Sequence, residues 1–486
     1  VGLIGILAGL GLLMWLSFRG WSVLVLAPAA AMVAALAAGE PLLAHWTLTF
    51  MSAAAGFLAQ FFPLFLLGAV FGKLMEDSGS VTGIARFMTD KLGTQRAILA
   101  IVLAGALVTY GGVSLFVAFF VLGPMAQALF RAADIPQRLM PGAIALGAMS
   151  FTMTALPGTP AIQNAIPMPF FGTTPFAAPG LGILAAAIML GFGMWWLSRA
   201  QAAARRAGEG FGGAVTATQA AQAAADDPVI RERATTAGAF DPAEVRHGRP
   251  SDDPPGALVA MLPLVVVVLV NLVMSLVVLP RMDFGFLEDE SWGGVAVSSV
   301  SGLWSVVVAL LAAIATLVAL NRRRLVSLRE SVDAGANASV LPVLAVSSLV
   351  GFGSVVAAMP AFEAVRDWVL SIGGGPLVSL AVATNILAAL TGSASGGMTI
   401  ALDALGGTYL GLAAVQGLDP AVLHRVAAMA AGTLDSLPHN GAIVTLLAVC
   451  GSTHKESYFH LAMAAIVGPI VALVAVIVLG SVFGSF

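Results

Sequence analysis

The chain has 486 residues, 59% of them hydrophobic and 10% charged, with a mean hydropathy of +0.97 and a formal net charge of −3. Soluble domains carry about 25% charged residues, so water is excluded as the main solvent, and no basic block is large enough to bind nucleic acid. The single cysteine, Cys450, excludes an internal disulfide framework.

In chain order, apolar runs of about 20 residues, enough to cross a ~30 Å hydrocarbon core, fall at 1–18, 21–38, 48–72, 138–168, 180–198, 257–279, 297–320, 338–358, 421–450 and 459–482. The first reads as a span and not a signal peptide, because Arg19-Gly20-Trp21 offers no small-residue cleavage site. Two further stretches, 97–130 and 377–413, are interrupted by Thr109-Tyr110-Gly111-Gly112-Val113-Ser114 and by Thr391-Gly392-Ser393-Ala394-Ser395-Gly396-Gly397. Their limbs hold only about 13–16 residues, too few to span at ~1.5 Å per residue. That predicts two re-entrant helical hairpins turning at the midplane; two ordinary spans, each with a glycine kink, are the alternative.

Segment 200–256 is rich in Ala, Gly, Asp, Arg and Pro and has no sustained apolar period. It reads as a mostly disordered cytoplasmic linker, with a short helix near 217–225, because it cannot bury enough apolar surface to offset its ordering entropy. With Val1 outside and each hairpin returning to its own side, nineteen of the 22 basic residues fall on one face, the cytoplasmic one by the positive-inside rule. Only Arg281, Arg366 and Arg425 fall outside, with the acidic Glu288, Asp289 and Glu290.

The predicted fold is therefore an all-α integral membrane protein. Its halves, 1–199 and 257–486, each hold five transmembrane helices and one hairpin. Five crossings is an odd number, so the second half is inverted relative to the first. Traces of the repeat survive in the breaks. Leu156-Pro157-Gly158-Thr159-Pro160-Ala161-Ile162 interrupts the helix 138–168, and Leu437-Pro438-His439-Asn440-Gly441-Ala442-Ile443 interrupts the helix 421–450. Proline removes a backbone donor and glycine releases helical dihedrals. The freed backbone groups need protein, water or a ligand at such depth, and paired broken helices with half-helix N-termini are a transporter device for anions.

These segments supply the candidate site residues. Thr109, Tyr110, Gly111, Gly112 and Ser114 lie at the first tip, and Thr154, Gly158, Thr159 and Asn164 around the first break. Ser393, Ser395 and Gly396 lie at the second tip, and Ser436 and Asn440 at the second break. Hydroxyls and close backbone amides in this pattern suit a carboxylate without an arginine, and none of the outside basic residues lies deep in a span. Thr152 and Gln163 also flank the first break; any of these polar side chains could instead bond its own helix backbone. Charged groups in the membrane cost about 2.5–3.5 kcal/mol each on insertion scales. Asp435 and His439, four residues apart, would share a helix face and form a proton-handling pair, or a structural cap; Asp403 is a further coupling candidate, or is packed against backbone amides.

At these segments the chain resembles the gluconate permease family of proton symporters, within the ion transporter superfamily. The match rests on Leu156-Pro157-Gly158-Thr159-Pro160-Ala161, on Gly392-Ser393-Ala394-Ser395-Gly396-Gly397-Met398-Thr399 and on Asp435-Ser436. The resemblance implies uptake of sugar acids or 3-hydroxybutyrate, and a homodimer in which a transport domain moves as an elevator against a scaffold. It implies no cofactor, with the proton as coupling ion, and residence in a bacterial-type cytoplasmic (inner) membrane. The Ser-Asn-Thr tips of sodium-coupled dicarboxylate members are absent. The expected function is proton-coupled symport of a small organic monocarboxylate, with a sodium-coupled or dicarboxylate/citrate-type transporter as the alternative. A channel or an intramembrane serine protease using Ser395 and His439 fits less well. No zinc-protease motif or Walker loop is present.

Overall fold

A computed structural model describes residues 2–212, 217–237, 241, 244 and 247–486. The described residues are helices and connections, with no strand among them. The first half runs α1 (Gly2–Phe18), α2 (Val23–Ala38), α3 (Leu42–Asp77), α4 (Ser80–Leu92), α5 (Ala97–Tyr110), α6 (Leu115–Ala132), α7 (137–154), α8 (162–171) and α9 (Pro179–Arg206). Two helices follow in the connecting segment, α10 (Ala217–Asp226) and α11 (Pro228–Ala237). The second half runs α12 (Ala257–Arg281), α13 (Val297–Asn321), α14 (Leu328–Ala357), α15 (Phe362–Leu370), α16 (Pro376–Thr391), α17 (Ala394–Gln416), α18 (Pro420–Leu434), α19 (Gly441–Val449) and α20 (His454–Phe483). Eight of these, α3, α6, α9, α12, α13, α14, α17 and α20, are long and apolar enough to cross a membrane. The chain is a multi-pass membrane protein.

The same order of elements recurs in the two halves: three apolar helices, a short amphipathic one, a closely joined pair, a broken helix and a final helix. The amphipathic pieces α4 and α15 were not evident from hydropathy, because their charges interrupt the apolar run. In α4, Val81, Ile84 and Ala85 are buried while Arg86, Asp90 and Lys91 face outward. Gly93, at φ +64°, then lets the chain bend by 103° into α5.

Small residues set the closest approaches. A Cβ on Gly9 of α1 would lie 2.6 Å from the Ala30 carbonyl oxygen of α2, and one on Gly335 of α14 would lie 2.6 Å from the Val70 Cα of α3. Helices without a hydrophobic drive between them gain dispersion contact by this route. Around the α3–α14 crossing, α2 packs on α14, α13 on α3 and α12 on α13. Among the other elements α5 packs on α7, α16 on α17 and α18, and α9 on α20, and they meet the first set where α17 packs on α14, α4 on α12 and α8 on α13.

The short helix expected near 217–225 is α10, and the disorder expected around it is corrected for the described residues, where α11 follows. Both α10 and α11 lie on α19, and α11 also reaches α14 and α17. Composition averaged over the segment hides a narrow stripe: Ala224 and Ala225 are buried, and Val229 packs on Gly20. Alanine-rich sequence forms helix readily, and the stripe gives that helix a surface to bind. Further on, Gly248 sits against Lys73 and Asp77 at the end of α3, where the buried Lys73 Nζ lies 3.2 Å from Asp77 Oδ1.

Candidate functional site: two helix pairs and two breaks around a small cavity

Each closely joined pair turns on a serine. Ser114 accepts a hydrogen bond from the Phe116 amide at 3.3 Å to cap α6, and Ser393 accepts one from the Gly396 amide at 3.1 Å to cap α17. Before each turn a threonine hydroxyl bonds back one helical turn, Thr109 to the Gly105 carbonyl at 2.9 Å and Thr391 to the Leu387 carbonyl at 2.8 Å. The breaks match as well. α7 ends at Thr154 and α18 at Leu434. Thr159 Oγ1 accepts from the Ala161 amide at 3.3 Å, and Asn440 Oδ1 from the Ala442 amide at 2.6 Å, each two residues ahead.

Each turn is tied to the break of its own half. The Tyr110 hydroxyl donates to the Pro157 carbonyl at 2.8 Å, and Thr109 Oγ1 lies 3.1 Å from Thr152 Oγ1. In the second half, Asn440 Nδ2 donates to the Gly392 carbonyl at 2.9 Å and His439 Nε2 lies 2.9 Å from the Ala389 carbonyl. In the first half a tip side chain thus satisfies a carbonyl of the break, and in the second half break side chains satisfy carbonyls of the helix pair, which lipid could not do.

Between α3, the first turn and the first break lies a cavity of about 70 Å³, lined by Phe65 and Gly68, by Thr109, Gly112 and Ser114, and by Gln163. A second, of about 10 Å³, shares Leu115, Met153 and Gln163 with it and adds Thr154, Ala394, Gly432, Asp435 and Ala442. The starts of α6, α17 and α19 therefore meet at one place. Helix starts leave backbone N–H groups without intrahelical partners, and serine and asparagine caps take only some of them.

Not every candidate residue lines this space. Ser393, Ser395, Thr159, Asn164 and Asn440 are buried and contribute caps and ties. A Cβ on Gly111 would strike Leu264, and one on Gly158, at φ +81°, would lie 2.5 Å from Phe176. Gly396 packs on Leu349, and Ser436 Oγ bonds Asp435 Oδ1 at 3.2 Å.

Three expectations are corrected. Asp435 and His439 do not share a helix face: α18 stops at Leu434, Asp435 borders the second cavity, and His439 borders a separate crevice with Arg233, Thr391 and Gly392. Pro438 lies between them, so the i,i+4 rule has no helix to act on. Asp403 is exposed and accepts from Ser354 of α14 at 2.6 Å, so it lies against neither cavity, and its partner is a hydroxyl and not a backbone amide.

The third correction is Arg425. The charge count puts it on the outside face, not deep in a span, yet it is fully buried. Its guanidinium donates to the Thr154 carbonyl at 3.1 Å, to Asn164 Oδ1 at 3.3 Å and to the Ala177 carbonyl at 2.7 Å. Beside it, His424 lies 2.6 Å from Thr173 Oγ1 and 3.2 Å from Asn164 Oδ1. The planar fork satisfies carbonyls left by the first break, so a residue of the second half holds the broken helix of the first. No sequence window signalled this, since the partners lie 261 residues apart.

Comparison with known proteins identifies the family. Residues 12–286 match the CitMHS family, described as citrate transporter. The chain is also 42% identical over 463 residues to the uncharacterized transporter YxjC of Bacillus subtilis (strain 168), with 94% of each chain covered. The ion-transporter character of the resemblance stands, whereas the gluconate permease family gives way to a different one: the short tip and break motifs carried too few residues to separate related families. These relatives are transporters and not enzymes. The chain belongs to the CitMHS family of citrate transporters.

Proposed function

We propose that the protein is a secondary transporter that couples proton movement to symport of a small hydroxycarboxylate across a bacterial cytoplasmic membrane. The observation that carries this reading is the meeting of three helix starts, α6, α17 and α19, with two broken helices and the carboxyl group of Asp435 around one pair of cavities. Helix starts favour an anion. Asp435 has no basic partner in that wall, which suits a group that carries a proton with the substrate. A carboxylate entering a negative cytoplasm is opposed by ~2.3 kcal/mol per charge at 100 mV, and one co-transported proton cancels that opposition for a monocarboxylate.

The recurring order of elements supports an inverted repeat, and in an elevator reading the paired and broken helices would move against the α3–α14 group. The small cavity favours a monocarboxylate such as 3-hydroxybutyrate; the family description favours citrate as the second reading. Uptake of labelled 3-hydroxybutyrate, gluconate and citrate into proteoliposomes under an imposed pH gradient, alkaline inside, tests it. We expect accumulation of 3-hydroxybutyrate without sodium, and Asp435→Asn is expected to keep substrate exchange while losing gradient-driven accumulation. Preferential citrate uptake replaces the monocarboxylate by the second reading, and a strict sodium requirement refutes proton coupling.

A further inference from the structure

The polar groups of the first break are nearly all spoken for. Thr154 donates to the Ser150 carbonyl at 3.1 Å, Thr152 to the Gly147 carbonyl at 3.1 Å, and Asn164 Nδ2 to the Thr159 and Pro175 carbonyls at 3.0 Å. Gln163 differs from them. It is only 6% exposed, its Oε1 has no hydrogen-bond partner among the described residues, and it borders both cavities, standing in the wall they share. A buried amide oxygen left unpaired is unfavourable and rare in folded proteins, so its persistence at a cavity wall calls for a partner from outside the chain.

The repeat removes the structural explanation. Aligned on Leu-Pro-x-x-x-Ala-Ile, the residue matching Gln163 in the second break is Val444. The same local architecture is thus built with an apolar side chain, and the fold does not itself need an amide there. A carboxamide offers one acceptor and two donors. A carboxylate only accepts, and so cannot fill Oε1; an alcohol both donates and accepts, and fills either end of the amide.

We infer that Gln163 is the residue that reads the substrate's hydroxyl, selecting hydroxycarboxylates over the same acids without the hydroxyl. The inference rests on the transport reading above. In it the carboxylate lies toward the helix starts at Ser114 and Ala394, and the alcohol O–H donates to Gln163 Oε1. A site that must hydrogen-bond a hydroxyl rejects the analogue lacking it, because the buried amide is then left unpaired.

The test is competition for exchange in proteoliposomes of the full chain, comparing 3-hydroxybutyrate with butyrate. Citrate and its deoxy analogue tricarballylate form a second pair. Wild-type protein should prefer the hydroxylated member by at least roughly tenfold. Gln163→Met, similar in length and without the amide, should reduce that preference to about twofold or less while leaving the affinity for the deoxy analogue unchanged. Gln163→Val, which copies the second repeat, is the companion variant in case the first is not monodisperse. A variant that weakens both members of a pair equally, or that keeps the wild-type preference, overturns the role of Gln163 and leaves the transport reading intact. Wild-type protein that exchanges neither pair overturns the transport reading and this inference with it.

Discussion

Buried charge at the residue scale is where hydropathy and packing part company. Among the described residues Arg425 has no carboxylate in contact; its guanidinium is held by the Thr154 and Ala177 carbonyls and the Asn164 amide oxygen. Losing it would leave the Thr154 and Ala177 carbonyls without that donor, each costing about 1–3 kcal/mol. Arg425→Lys keeps the charge but replaces a planar fork with a point of three donors that cannot reach all of them. We expect this substitution to destabilise the protein by about 2–4 kcal/mol, read as a lower melting temperature in detergent. A melting temperature equal to wild type would mean that the charge, and not the fork, holds the first break.

For the elements, the informative feature is the helix end. Pro157 and Pro438 announce the two breaks in sequence, and the structure stops α7 at Thr154 and α18 at Leu434, a few residues earlier. The chain between stop and restart is held by specific backbone conformations. Gly158 is at φ +81°, its carbonyl accepts from Asn271 Nδ2 at 3.0 Å, and its missing Cβ makes room for the Phe176 ring. Gly158→Ala combines a left-handed conformation costing roughly 1–2 kcal/mol with a contact that forces the ring to move. We expect a loss of stability of at least that size, together with weakened substrate binding, measured by thermal shift with and without ligand. An unchanged melting temperature would show that the break relaxes around the methyl group. The tips were legible as glycine and hydroxyl clusters. The division of labour within them was not: whether a hydroxyl caps a helix, ties two elements or lines a cavity depends on which neighbour arrives.

Across the whole molecule, the charge distribution and the order of helices carry one topology. Asp289 lies in the loop between α12 and α13, and Arg323 lies just beyond the other end of α13; both are exposed. If α13 crosses once, cysteines at Asp289→Cys and Arg323→Cys in a Cys450→Ala background must be labelled from opposite faces, the first from outside and the second from the cytoplasm. Labelling of both from one face would remove the five-span half and the inversion with it.

The amino-acid sequence by itself determined the solvent and the class of architecture. A chain that is 59% hydrophobic, with runs as long as a bilayer is thick, must satisfy its backbone internally, and helices do so within each segment. It also located the interruptions, because proline and glycine act on their own backbone and need no distant partner. Tertiary structure alone decided that Arg425 lies in the core, that Asp435 and His439 face different spaces, that α10 and α11 have a surface to pack on, and that Gln163 Oε1 has no partner among the described residues. The physical reason is common to all four. Hydropathy and periodicity are sums over neighbours in sequence, whereas the satisfaction of a buried polar group depends on atoms brought from hundreds of residues away.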